Sequence, residues 1–160
     1  MLAPLRERAT VVIDTSKLTH AALKQRIAVS FSDQPVRLAV TIVSFGFKYG
    51  LPTDLDLLFD VRFLRNPNYE AALAPLTGND ASVAAFIEDD SALAPFLAKT
   101  SDLLDFLLPR YLEEGKSQLT IGIGCTGGRH RSVYVAGRLL ERLLGDDRLR
   151  PALEERDVDR

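Results

Sequence analysis

One short segment of the sequence, residues 125–132, concentrates residue types that bind anions: Cys-Thr-Gly-Gly-Arg-His-Arg-Ser. It lies between an apolar run at residues 119–123 and an amphipathic helix pattern that begins at Ser132. A glycine-rich turn between a strand and a helix presents free backbone N–H groups and the positive end of the helix dipole. The glycines allow close approach of the backbone to a ligand, and the basic side chains add donors for phosphate or carboxylate oxygens. We therefore predict an anion-binding loop with these ligand contacts: Cys125, Thr126, Gly127, Gly128, Arg129, His130, Arg131 and Ser132.

Two nucleotide-binding motifs overlap this loop, and the sequence satisfies neither. The spacing Gly122-x-Gly124-x-x-Gly127 matches a dinucleotide fingerprint. That fingerprint requires a further strand carrying an acidic residue about 20 positions later, whereas we expect no strand in the charged residues 146–160. A P-loop requires a lysine after its last glycine, and Gly128 stands at that position.

A third motif, Cys-x5-Arg-Ser starting at Cys125, is the arrangement of cysteine-dependent phosphatases. A thiol at a helix N-terminus beside arginines would attack phosphorus as a thiolate. Asp60 and Asp80 are candidate acids for the leaving group, and nothing in the sequence selects between them. Gly124 precedes the cysteine, where those enzymes usually carry histidine. The alternative function is therefore a phosphatase with Cys125, Arg131 and Asp60 as catalytic residues, although an unpaired cysteine is more commonly a buried apolar residue.

Hydrophobic periodicity predicts strands and helices that alternate around this loop. The predicted strands are residues 11–14, 36–45, 55–63 and 119–123. The predicted helices are residues 19–27 with Thr19 as N-cap, 81–88, 92–111, and 132–144 with Gly145 as the stop. Residues 66–68 and 77–80 are loops, residues 14–16 are a turn, and residues 146–160 are a charged tail. This alternation predicts an α/β fold with a largely parallel or mixed sheet flanked by helices.

Length and composition indicate one globular domain over residues 1–160. The chain has 46% hydrophobic and 26% charged residues and a net charge of −2, so no overall charge points to a polyanionic partner. No apolar run is long enough for a membrane span, and no signal-peptide pattern opens the sequence. The single cysteine excludes an intramolecular disulfide and fits the reducing cytoplasm, where we expect the protein to reside. No pattern calls for a cofactor or a metal.

Four blocks in order give the sequence a specific resemblance: SFGFKYG at residues 44–50, FDVRFLRNP at 59–67, TGND at 77–80 and GCTGGRHRS at 124–132. Together they resemble the C-terminal domain of the RapZ/YvcJ family, and the resemblance covers nearly the whole chain. Residues 1–10 resemble the junction to the N-terminal P-loop domain of full-length members. That domain is not in this sequence, so we expect the family's ATP and GTP hydrolysis to be absent and the chain not to be an enzyme.

The resemblance implies a function as well as a fold similar to a phosphofructokinase subdomain. The best-understood members are adapters that sense glucosamine-6-phosphate and present small regulatory RNAs to an endoribonuclease. Their C-terminal domain holds both the sugar-phosphate site and the RNA-binding surface, and they self-associate, which implies a homo-oligomer here. The resemblance places the sugar-phosphate site on the loop residues Cys125, Thr126, Gly127, Gly128, His130 and Arg131, with Lys48, Arg62 and Asn66 from the other blocks.

Two departures from the family pattern affect the expected ligands. Tyr49 stands where some members have histidine. From Arg138 to Arg160 the chain has six arginines but seven acidic residues, whereas RNA-binding members end in a more basic tail. RNA binding is therefore the expectation that the sequence supports least.

Overall fold

The structure, a computed structural model, describes residues 8–31 and 37–160. The α-helices are α1 (His20–Phe31), α2 (Ala81–Glu88), α3 (Leu93–Glu113) and α4 (Arg131–Leu143). The strands are β1 (Leu38–Gly46), β2 (Leu57–Asp60), β3 (Gln118–Cys125) and β4 (Leu149–Glu155). Single turns of 3₁₀ helix follow β1 at Phe47–Tyr49 and β2 at Pro67–Tyr69.

The four strands form one sheet in the order β2-β3-β1-β4, and every neighbouring pair is parallel. In the register of the sheet, Ile42 of β1 lies between Ile121 of β3 and Leu153 of β4. This confirms the predicted α/β fold, and the sheet, predicted as largely parallel or mixed, is parallel throughout. Because all strands are parallel, their carboxyl ends meet at one edge of the sheet, which is where open α/β sheets bind ligands.

The core lies between the sheet and its helices. Helix α4 packs against β1, β3 and β4, and α2 and α3 contribute to the same buried cluster. Alternate residues of the two central strands point into this cluster with at most 1% exposure: Leu38, Val40, Ile42, Leu119, Ile121 and Ile123. The two central strands are therefore fixed in register by burial, and the loops at their carboxyl ends are fixed with them.

Most predicted helices and strands are confirmed, with small shifts at their ends. Thr19 caps α1, since its Oγ1 accepts the N–H of Ala22 at 3.2 Å. Strand β2 is shorter than predicted, because the Asp60 carboxylate accepts the N–H of Arg62 at 2.9 Å and turns the chain. Residue 36 of the predicted first long strand and residues 1–7 of the predicted junction lie outside the described residues.

Two predictions at the ends of the chain are wrong. Residues 11–14 form no strand, and Val12 is 52% exposed, so the apolar run has no sheet to join. The charged tail, in contrast, contains β4, which pairs along one side of β1. Buried Leu149 and the partly buried Pro151 and Leu153 alternate there with exposed charged and small residues. Such alternation is typical of an edge strand with one covered face, and an edge strand also tolerates proline.

In the part of the chain that the structure describes, no helix is both long and apolar enough to cross a membrane.

Candidate functional site

A cavity of about 250 Å³ opens at the carboxyl edge of the sheet. Its walls come from the segments that follow all four strands, so the parallel topology assembles it. Eight lining residues are among the ligand contacts predicted from the sequence: Lys48, Asn66, Cys125, Thr126, Gly127, Arg129, His130 and Arg131. Three further lining residues were not predicted: Tyr49, Asn68 and Arg160.

The glycines of the loop after β3 allow it to pack directly on the end of β1. Gly128 has a φ of 77°, a conformation that favours glycine. A Cβ at Gly128 would lie 2.6 Å from the backbone nitrogen of Gly46, and a Cβ at Gly46 would lie 2.6 Å from the carbonyl carbon of Gly127. A Cβ at Gly127 would meet no atom within 4 Å. Gly128 is therefore required for folding of the loop, whereas Gly127 borders open space.

Cys125, the last residue of β3, is buried at the start of the loop. Its Sγ accepts the backbone N–H of Gly128 at 3.2 Å and lies 3.1 Å from Oγ of Ser132. Ser132 is fully buried as well. These two residues connect the end of β3 to the start of α4 and hold the loop in its bent conformation.

Arg129 and His130 contact backbone carbonyl groups of the segment between β2 and α2. Arg129 donates from Nε to the Leu76 carbonyl at 2.9 Å and from Nη2 to the Pro75 carbonyl at 2.7 Å. Nε2 of His130 lies 3.2 Å from the Leu73 carbonyl oxygen. Both side chains border the cavity. Their hydrogen bonds to these carbonyls anchor the segment that carries Asn66 and Asn68.

Arg131 is a buried cation, with 4% of its surface exposed. Its Nη1 donates to the carbonyls of Arg62 at 2.8 Å and Leu64 at 3.0 Å, and its Nη2 donates to Oγ1 of Thr126 at 3.2 Å. Its Nε is buried with no hydrogen-bond partner among the described residues. The guanidinium group thus joins the β2 segment to the loop and places a positive charge at the cavity wall.

The basic residues of the loop do not all carry charge. Burial lowers the pKa of His130 below its ordinary value of 6.5, and the positive charge of Arg129 lowers it further. His130 is therefore neutral at pH 7. The positive charge around the cavity comes from arginine side chains and from Lys48.

Three of the predicted contacts lie outside the cavity lining. Gly128 and Ser132 are buried behind it. Arg62 is half exposed, forms a 2.6 Å ion pair with Asp60 and lies 4.3 Å over the Phe47 ring. The Arg62 guanidinium thus lies outside the cavity, where it contacts a carboxylate and an aromatic ring while half of the side chain stays exposed.

The geometry provides no support for the phosphatase alternative. In that mechanism the arginine must bind the phosphoryl group, but Arg131 already donates to backbone carbonyls. The general acid must be protonated, yet hydrogen bonds from Arg62 hold the pKa of Asp60 below its ordinary value. Asp80 accepts hydrogen bonds from Thr77, which likewise lower its pKa.

The dinucleotide motif also lacks the arrangement that it needs. A strand does follow α4, contrary to the prediction, but β4 lies beside β1 and not beside β3. Glu155, at the end of β4, accepts a hydrogen bond from the side-chain amide of Asn79 at 3.0 Å. The Glu155 carboxylate therefore faces the segment before α2. Gly124 serves packing, since a Cβ there would lie 2.6 Å from atoms of the Phe45 and Phe47 rings.

The unpredicted lining residues had weak signals in the sequence. Tyr49 lies in a resemblance block, and Asn68 follows Asn66 at a spacing of two, as in an Asx turn. Asn66 does accept the Asn68 N–H, at 3.3 Å. Arg160 belongs to the tail for which no strand was predicted, and only β4 brings it to the cavity.

Comparison with known proteins assigns the chain to a family. The sequence model described as "RapZ C-terminal domain" matches residues 38–159. A nucleotide-binding protein of Moorella thermoacetica is 48% identical over 159 residues, which cover 99% of this chain and 53% of that protein. A nucleotide-binding protein of Heliobacterium modesticaldum is 50% identical over 162 residues, with 100% and 54% covered. A third, of Rubrobacter xylanophilus, is 52% identical over 145 residues, with 89% and 47% covered. The chain therefore spans about half the length of these curated relatives, and it belongs to the RapZ C-terminal domain family.

Proposed function

We propose that this domain binds a phosphorylated sugar of the glucosamine-6-phosphate type in the cavity after β1 and β3, and that it acts as a metabolite-sensing adapter domain that regulates RNA processing. The observation that carries the proposal is the cavity at the carboxyl edge of the sheet. Arginine, lysine and amide side chains line it together with a glycine loop. The family resemblance supplies the identity of the sugar phosphate and of the RNA partner.

The chemistry of the lining supports an anionic ligand with polar substituents. Buried Arg131 places a positive charge at the cavity wall, and this charge favours a negatively charged ligand. Lys48 is exposed and free to approach a phosphate, while the side chains of Asn66 and Asn68 suit hydroxyl groups. The volume of about 250 Å³ suits a small ligand and is too small for a dinucleotide.

Isothermal titration calorimetry with glucosamine-6-phosphate and with glucosamine tests the small-molecule part of this proposal. We expect the phosphorylated sugar to bind and glucosamine to give no binding. Lys48→Ala should weaken binding about tenfold, because a charge-assisted contact to phosphate is lost. Lys99→Ala, an exposed lysine of α3 outside the cavity lining, is the matched control. Equal affinities for the two variants would place the ligand elsewhere.

The proposed RNA contact is supported by exposed cations that lie over aromatic rings beside the cavity. Arg62 lies over Phe47 and Lys48 lies 5.4 Å from the centre of the Tyr49 ring. Cations and aromatic rings in one place suit phosphates and bases of RNA. The net charge of −2 argues for weak binding by one domain and for a contribution from several copies of the domain in an oligomer.

RNA affinity measured against salt concentration tests this second part. Each phosphate contact that is removed should reduce the slope of log K against log salt by about 1. We expect Lys48→Ala with Arg62→Ala to reduce both affinity and slope. The double change Lys99→Ala with Arg142→Ala removes the same charge from α3 and α4 and should leave both unchanged. Undetectable binding of structured RNA at low salt would remove RNA from the function of this domain.

A further inference from the structure

The segment that follows β4, Arg156 to Arg160, contains a buried carboxylate, that of Asp157. The anion-binding loop alone does not explain why a charged group is buried there. Asp157 is fully buried. Its Oδ2 accepts the N–H of Gly46 at 2.9 Å, and a Cβ at Gly128 would lie 2.8 Å from its Cβ. The carboxylate thus lies directly behind the contact between the end of β1 and the glycine loop.

The two oxygens of Asp157 have different surroundings. Oδ2 also accepts hydrogen bonds from Nε of Arg156 at 3.0 Å and from Nη2 of Arg156 at 2.7 Å. Oδ1 is buried and has no hydrogen-bond partner within residues 8–31 and 37–160. The Nε of Arg160 lies 3.6 Å from it. A buried carboxylate oxygen without a hydrogen bond is unfavourable, so its negative charge attracts the guanidinium of Arg160.

The two arginines that contact Asp157, Arg156 and Arg160, also differ in their surroundings. Arg156 is held in place, since its Nη2 also donates to the Gly50 carbonyl at 2.8 Å. Arg160 is 60% exposed, lines the cavity and lies 5.3 Å from the centre of the Tyr49 ring. Arg160 is therefore the arginine that remains available to a ligand.

We infer that Arg160 is an anion-binding residue of this site and that Asp157 is the positioning residue that holds it at the open side of the cavity. A guanidinium presents donors on more than one edge, so Nε can face Asp157 while the terminal nitrogens face a phosphate. The bound anion and Oδ1 then lie on opposite sides of one cation. The strand β4 and the segment after it thereby become part of the ligand site.

This inference rests on the proposed function, and the test separates the two. Titration calorimetry with inorganic phosphate and with glucosamine-6-phosphate compares Arg160→Ala with Arg150→Ala, which removes an exposed arginine of β4. We expect Arg160→Ala to weaken both probes about tenfold and Arg150→Ala to change affinity less than twofold. Binding by the unmodified domain with equal affinities for the two variants would overturn the role of Arg160 alone. Absence of binding by the unmodified domain would overturn the proposed function and this inference with it.

A double-mutant cycle tests the positioning role of Asp157. Asp157→Asn keeps the shape of the side chain and removes its charge. We expect it to weaken phosphate binding about threefold in the unmodified domain and to have no further effect in the Arg160→Ala background. A purely structural role would give the same loss in both backgrounds and would overturn the assignment. If Asp157→Asn does not fold, Arg160→Gln replaces it: glutamine keeps a neutral amide donor that can face Asp157 and removes the cation, so affinity close to that of the unmodified domain would overturn the inference.

Discussion

Basic side chains that look equivalent in the sequence have different partners in the structure. Arg129 and Arg131 donate to backbone carbonyls, whereas Lys48 is exposed at the cavity. Residue types and spacing predicted that the loop gathers positive charge and glycine, because those features are local. They could not predict which donors remain available, because the carbonyl partners lie more than 50 residues away in the chain.

The two glycines of the loop should respond differently to substitution. Gly128→Ala forces a side chain into a left-handed conformation and against the backbone of Gly46. We predict a loss of about 2–3 kcal/mol in the free energy of unfolding. Gly127→Ala places its Cβ in open space and should cost less than about 1 kcal/mol. Urea unfolding of the two variants checks this, and equal losses would show that the loop conformation is not the one described.

The neutral state of His130 predicts a pH dependence of stability. Its pKa is lowered in the folded protein, so the unfolded chain binds the proton more readily. The free energy of unfolding should therefore fall as pH drops from about 7 through the ordinary histidine pKa toward the lower folded value. His130→Gln should remove this loss, since glutamine can donate to the Leu73 carbonyl without titrating. Denaturant unfolding between pH 7 and 5 measures it, with His20→Gln as the comparison for the other histidine. A pH dependence unchanged by His130→Gln would contradict the assignment.

At the scale of elements, a long irregular segment is held by side chains of the loop that faces it. Between β2 and α2 the chain forms only turns and one 3₁₀ helix. Arg129 and Arg131 of the loop after β3 donate to four backbone carbonyl groups of this segment. These carbonyl groups belong to Arg62, Leu64, Pro75 and Leu76. Long loops of this kind are commonly functional, and here the segment carries Asn66 and Asn68 to the cavity.

Removing one of these side-chain anchors should destabilise the segment. Arg129→Ala leaves the carbonyls of Pro75 and Leu76 without their donors, and hydrogen bonds to charged groups contribute about 1.5–3 kcal/mol. We predict a loss of about 2 kcal/mol in the free energy of unfolding and faster hydrogen exchange at residues 73–80. Arg62→Ala removes a solvent-exposed ion pair and a half-exposed contact with the Phe47 ring, so it should shift the unfolding midpoint much less than Arg129→Ala does. Similar unfolding midpoints for the two variants would contradict the anchoring role.

Strand β4 was missed because its charged residues obscured a short alternating pattern. Its existence can be tested with two leucines that the sequence alone does not distinguish. Leu149 is 3% exposed at the start of β4, whereas Leu144 after α4 is 62% exposed. Leu149→Ala should cost about 2–4 kcal/mol and Leu144→Ala less than about 0.5 kcal/mol in thermal or urea unfolding. A small loss for Leu149→Ala would indicate that the tail does not pair with the sheet.

At the scale of the whole molecule, the ligand site is a product of topology. Four parallel strands end at one edge, and the segments after them supply Lys48 and Tyr49, Asn66 and Asn68, the glycine loop, and Arg160. Periodicity predicted the central strands and α4 because burial on one face leaves a clear pattern there. The contribution of β4 could not be predicted, since it depends on pairing with β1, which is more than 100 residues away. The family, in contrast, could be predicted from four short sequence blocks, most of which lie at the carboxyl edge of the sheet.

The measurement that tests the ligand site most directly is a titration of the ¹⁵N-labelled domain with glucosamine-6-phosphate, followed by the backbone amide signals in NMR. Binding in the described cavity predicts the largest saturable shifts at the amides of Lys48, Thr126 to His130 and Arg160, with little change at Lys99 of α3. The N–H of Gly127 is the most informative probe, because it has no hydrogen-bond partner in the described structure and borders the cavity. Saturable shifts confined to other surfaces, or no shifts at millimolar sugar phosphate, would contradict the account.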